Sequence, residues 1–141
     1  MNNHVEINMA GISENVSFAR MAVAAFIAPA DPSVDEVSDI KTAVSEAVTN
    51  AIIHGYGQTP GNVKMAMTMD GETLTVQVCD EGVGIHDIEE ARQPLFTTKG
   101  ELERSGLGFT VMESFMDSVV VESVPKKGTK IILTKALKPQ G

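Results

Sequence analysis

The chain has 141 residues, of which 43% are hydrophobic and 4% aromatic, with eight Met and no Trp. That length suits one domain with a core of its own, built here from aliphatic side chains and Met. A formal net charge of −8 argues against holding nucleic acid by bulk electrostatics, which takes clustered Lys and Arg. A phosphorylated ligand stays open to such a chain if backbone N–H groups and a metal do the neutralising.

In chain order, "HVEINMA" alternates Val5, Ile7 and Met9 and predicts a first strand. Ser13 then stands before a long apolar stretch to Ala28, the pattern of an N-capped helix. Pro29 and Pro32 break it. Ser33 followed by Glu36 has the capping-box form and predicts a second helix running to about His54. Val37, Ile40, Val44, Ala47, Val48 and Ala51 trace its core face. Two alternating runs follow, Val63 to Met69 and Leu74 to Val78, with Asp70-Gly71 between them as a hairpin turn.

After "DEGVGI" comes a polar stretch of roughly twenty residues, about 86–105, a length at which loops usually carry function. "GLGFTVMESFMD" predicts a third helix with Leu107, Val111, Met112, Phe115 and Met116 on one side. "SVVVESV" and "TKIILTK" predict a last pair of strands. The order β-α-α-β-β-loop-α-β-β predicts an α+β fold, a two-layer α/β sandwich with a mixed, mostly antiparallel sheet and helices on one face.

The lone Cys79 permits no intrachain disulfide, which fits a reducing compartment. The first residues lack a signal-peptide pattern, and the longest apolar run, Met21 to Ala28, is too short to span a bilayer. The expectation is a cytoplasmic protein with no membrane partner. Cys79 has no Lys, Arg or His beside it in sequence, so a sheet residue is expected and not a nucleophile.

The second helix carries a polar column: Glu46, Asn50 and His54, four residues apart. With Val44 at zero and ~100° per residue, Glu46 falls near ~200° and Asn50 near ~240°, opposite the core stripe. A solvated face would read this way. Ala43 and Ile53 share that face, however, and a mixed face suits the wall of a groove. Asp80 has the parity of Leu74, Val76 and Val78. Either the strand ends early and Asp80 caps a turn, or a carboxylate sits on the apolar side as a fixed acceptor, which needs hydrogen bonding there. Gly82 and Gly84 let backbone approach a ligand or make a turn. Gly106 and Gly108 open a helix, as an anion site or a loop end. Thr97, Thr98, Lys99, Arg104 and Ser105 precede them as possible phosphate donors.

In this order E-x-x-x-N, D-x-G-x-G and a helix-opening G-x-G resemble the ATP-binding domain of the gyrase, Hsp90, histidine-kinase and MutL superfamily. "SEAVTNAIIHGY", "DEGVGI", "IEEARQPLFTTK" and "ELERSGLGFTVMESFMD" resemble more closely the bacterial anti-sigma factor serine kinases. The resemblance covers almost the whole chain and implies the Bergerat ATP-binding fold over residues 1–141, with a mobile lid at about 86–105. It implies ATP/ADP and Mg²⁺ as cofactors. Asn50 would hold the metal. Asp80 would accept from the adenine amine, with Thr129 assisting through water. Gly82, Gly84 and Ile85 would line the base. Thr97, Thr98, Lys99, Ser105, Gly106, Leu107, Gly108 and Phe109 would wrap the phosphates. Arg104 would reach the γ-phosphate, and Glu46 would be the general base. The implied partners are a sporulation sigma factor, an anti-anti-sigma protein as phosphorylation substrate, and a second copy in a homodimer, with Arg20 facing a partner. A sigma-binding module without kinase activity and a stress-response anti-sigma kinase are the alternatives.

Overall fold

The computed structural model describes residues 1–55, 61–81, 108–124 and 128–138. Among them are five strands and three α-helices: β1 (Asn2–Ala10), α1 (Glu14–Ile27), α2 (Val34–Asn50), β2 (Asn62–Asp70), β3 (Thr73–Asp80), α3 (Phe109–Phe115), β4 (Ser118–Val124) and β5 (Gly128–Ala136). The strands form one sheet in the order β1-β2-β3-β5-β4. Every pairing is antiparallel, so the sheet described is purely antiparallel where a mixed one was admitted.

The period-2 pattern decides which face is covered. Val63, Met65, Met67 and Met69 of β2 and Leu74, Val76 and Val78 of β3 are buried, together with Ile131 and Leu133 of β5. Their alternate neighbours stay partly open. α1 and α2 lie on the buried side and touch the sheet and each other, while α3 packs against α2. This is the expected two-layer sandwich, with the Met stripe in the core.

The helix starts show local chemistry at work. Ser33 Oγ accepts from Glu36 N at 3.0 Å, and Glu36 Oε1 accepts from Ser33 N at 3.0 Å, closing the predicted capping box. Ser13 does not cap α1. Its φ and ψ of −60° and −27° are already helical, and its hydroxyl donates to Glu14 Oε1. The turn begins earlier, with Asn15 N donating to the Ile12 carbonyl and Asn15 Nδ2 to the Ala10 carbonyl. α2 stops at Asn50 and continues as a π-helical turn, Ala51–Gly55. His54 lies in that turn, and its side chain is outside the described residues.

The register sets Cys79 between Lys64 on β2 and Lys130 on β5, cations that sequence adjacency did not reveal. Burial still pushes the thiol upward, against the pull of the two lysines. Among the described residues, no helix is long and apolar enough to cross a membrane.

Candidate nucleotide site

The expectation that Glu46 and Asn50 lie opposite the core stripe is half right. Glu46 is half-buried, but Asn50 is 5% exposed and Ala43 is fully buried. The reason at Glu46 is tertiary: α3 packs against α2, and its first turn meets the Glu46 side chain at a seam between the two helices.

The seam is close. Gly108, at the N-terminus of α3, has φ +61° and ψ +18°, a left-handed conformation that glycine takes without a Cβ penalty. A Cβ there would lie 3.0 Å from the Glu46 carboxyl carbon, 3.2 Å from Glu46 Cβ and closer still to Oε2. Bare backbone at Gly108 is therefore what lets the carboxylate fit. The enclosure withdraws Glu46 from water, and burial raises its pKa above the ordinary 4.5. A carboxylate so tuned holds protons more readily than a surface one, as a general base requires.

One helical turn further on, Asn50 Oδ1 is buried and accepts no hydrogen bond among the described residues, although the residue itself is engaged elsewhere. No group of three His, Cys, Asp or Glu among the described residues could hold a metal. A single amide oxygen fits the chemistry of Mg²⁺, which keeps most of its ligands from phosphates and water.

The second corner lies at the end of β3. The strand continues through Asp80, which is 9% exposed and shares the covered face with Leu74, Val76 and Val78. Of the two sequence readings, the carboxylate on the apolar side is the one observed. Asp80 stands directly across from Thr129 on β5, itself buried. Gly128, at φ +114°, brings β5 against the backbone of Asp80. A Cβ there would collide with the Asp80 carbonyl and lie 2.8 Å from Glu81 Cα. Thr129 Oγ1 is 2.8 Å from Ser123 Oγ on β4, a contact that sequence reasoning missed because Ser123 belongs to no motif.

Of the other expected residues, Phe109 is fully buried at the start of α3, a packing residue at the edge of the site. Arg20 is exposed on α1, between Phe18 and Met21, whose side chains are 53% and 65% exposed. Gly82, Gly84, Ile85, Thr97, Thr98, Lys99, Arg104, Ser105, Gly106 and Leu107, with the expected lid, lie outside the described residues.

An antiparallel sheet with helices on one face is the architecture of a histidine kinase-like ATPase domain. The model of that family, the histidine kinase-like ATPase domain, matches residues 12–135. The chain is 59% identical over 137 residues to an anti-sigma F factor of Geobacillus stearothermophilus, covering 96% of this chain and 94% of the relative. It is 58% identical over 138 residues to an anti-sigma F factor of Bacillus licheniformis, covering 97% and 94%. A solved structure of RsbU and RsbW domains from Mycobacterium tuberculosis shares the fold, with TM-score 0.70 at 18% identity, over 97% of this chain and 33% of the other. This chain belongs to the anti-sigma F factor family of histidine kinase-like ATPase domains.

Proposed function

We propose that this protein is an anti-sigma factor and an ATP-dependent protein serine kinase. It binds the sporulation sigma factor, sigma F, and keeps it from RNA polymerase. It also phosphorylates a serine of a small anti-anti-sigma antagonist and so inactivates it. Membership of the anti-sigma F factors supports the first activity. The observation that carries the second is the carboxylate of Glu46, half-buried against the bare Gly108 backbone, one turn before Asn50.

In this reading ATP lies with its base at Asp80 and Thr129 and its phosphates toward Gly108. Asp80 accepts from the adenine amine. Glu46 takes the proton of the antagonist's seryl hydroxyl as that oxygen attacks the γ-phosphorus, and the bond to the β-phosphate oxygen breaks to leave ADP. Bound Mg²⁺, held through Asn50 Oδ1, would offset phosphate charge. Thr97, Thr98, Lys99, Ser105 and the backbone from Gly106 to Phe109 supply the remaining phosphate donors, and Arg104 meets the γ-phosphate.

The partner surface is assigned to α1. Its exposed Phe18 and Met21 flank Arg20, an apolar and cationic strip suited to a protein partner, and a homodimer contact is assigned to the same helix. The cytoplasm is the compartment in which both clients would be met.

The test is transfer of labelled phosphate from ATP to the antagonist, wild type beside Glu46→Gln. The expected result is label on a partner serine with wild type alone, while the variant still binds ATP. Label on neither, with ATP bound, would leave a sigma-binding module without kinase activity.

A further inference from the structure

Lys135 interrupts an apolar file on β5, and nothing in the reading above uses it. Ile131, Leu133 and, just past the strand, Leu137 share its parity and are buried. The register sets Lys135 directly across from the fully buried Leu74 of β3. Residues opposite each other in a ladder share a face, so Lys135 enters the layer beneath the helices, where it is half-buried. A cation on that side needs partners. Its Nζ donates to the Phe115 carbonyl at 2.7 Å, one of the C-terminal carbonyls that α3 cannot satisfy by itself. Its charge also reaches Glu36 in the first turn of α2. Burial is the largest influence on Glu36 and favours the neutral form, and the Lys135 charge is among those that outweigh it. The two helices thus run in opposite directions between two meeting points. Glu36 and Phe115 face Lys135 at one end, and Glu46 meets Gly108 at the other. Glu36 to Glu46 spans ~15 Å of α2, and the seven residues of α3 span ~10 Å.

We propose that Lys135 is a positioning residue for phosphate transfer: by pinning the C-terminus of α3 to β5, it sets how closely the Gly108 backbone meets Glu46. The inference rests on reading Glu46 as the general base and deepens it. A helix as short as α3 has little stability of its own, so its anchors decide where it lies. Phe109 and Met112 draw it inward by burial, a force without direction along the helix axis. The hydrogen bond at Phe115 has direction and fixes α3 lengthwise. Asp117 bonds to β5 on either side of Lys135, at Thr134 and Ala136, but from beyond the end of the helix. A lengthwise slip of α3 would carry Gly108 off the Glu46 carboxylate and let water in.

The experiment is a double-mutant cycle between Lys135→Met and Glu46→Gln in the whole protein, read by melting temperature at neutral pH. Lys135→Met keeps an apolar stem and removes the donor and the charge. Glu46→Gln relieves the burial of a carboxylate, so it should raise the melting temperature of wild type. In the Lys135→Met background that gain should vanish, because Glu46 is then solvated. An undiminished gain overturns the proposal. A larger gain overturns it too, since it would mean that Lys135 acts on Glu46 by charge alone. Phosphate transfer to the antagonist is the second readout. Lys135→Met should lower kcat by about 10- to 100-fold, the scale of a small misplacement, and by a larger factor than any loss of ADP affinity. Lys135→Arg keeps a charged donor and should restore most of both readouts. A loss of transfer shared equally by Lys135→Arg would mean packing on the covered face and overturn the role. If Lys135→Met does not fold, Lys135→Gln, with a neutral donor on a shorter stem, carries the same cycle. A wild type that transfers no phosphate removes the kinase reading, and the melting cycle still decides whether Lys135 sets the enclosure of Glu46.

Discussion

Glu46 carries two opposite consequences of one environment. Burial raises its carboxyl above 4.5, so the ionised base is depleted at a higher pH than an exposed carboxylate would be. The acid limb of the phosphate-transfer profile should lie above pH 4.5 and be absent from any residual activity of Glu46→Gln. The effect on stability has the reverse sign. A folded pKa above the unfolded one means that the native state loses stability as pH rises through the folded value and regains it on acidification. Glu46→Gln, which resembles the protonated form, should be more stable than wild type at neutral pH. That advantage should vanish toward pH 4.5, and denaturant melts at two pH values would show it. Gly108→Ala tests the same contact from the other side. The left-handed backbone costs an L-residue about 1–2 kcal/mol, and the new methyl would push the Glu46 carboxylate away. Melting should report the first loss and transfer assays a larger one. A variant with full transfer activity would show that the carboxylate has no need of its observed position.

At the scale of elements, what could be read from sequence was what is local or strictly periodic. The Ser33–Glu36 box was legible because both partners lie within one turn. Asp80 was legible because strand parity extends without interruption from Leu74. Ser13 was misread because the chain turns at Ile12 before the helix begins, a matter of backbone path and not of residue type. The burial of Asn50 was not decided by its own helix, on which a solvated face and the wall of a groove read alike, and Ser123 was missed because only pairing with β5 brings it to Thr129. The box itself predicts stability. Ser33→Ala should cost about 1 kcal/mol by denaturant melting. Burial is the largest influence on Glu36 and raises its pKa. The bonds from Ser33 and from the Lys138 backbone, with the Lys135 charge, outweigh it and leave the carboxyl below 4.5. Its contribution is therefore present above pH 4.5 and lost as pH falls through the lowered value. Glu36→Gln should differ from wild type at neutral pH and converge with it in acid. A constant difference would mean that shape, and not charge, holds the box.

Across the whole molecule, the segment leaving β5 ties the layers together, and no motif announced it. Ala136 N donates to Asp117 Oδ2 beyond α3, Leu137 N to the Glu72 carbonyl in the β2–β3 turn, and Lys138 N to Glu36 Oε2 at the start of α2. Lys135 Nζ meets the Phe115 carbonyl at the C-terminus of α3, where a cation is favoured. Successive residues thus hold the sheet, α2 and α3, the two helices that enclose Glu46. Leu137 is 1% exposed in their midst, so it anchors the segment by burial while its neighbours anchor it by hydrogen bonds. Leu137→Ala should lower stability by about 2–5 kcal/mol, a large share of the ~5–15 kcal/mol typical of a domain. Because the segment joins both layers, the loss should appear as one cooperative transition at a lower melting temperature, and ATP binding should weaken in parallel as the α2–α3 seam loosens. If the tail instead frayed by itself, Leu137→Ala would leave the global transition in place and raise amide exchange only near the C-terminus.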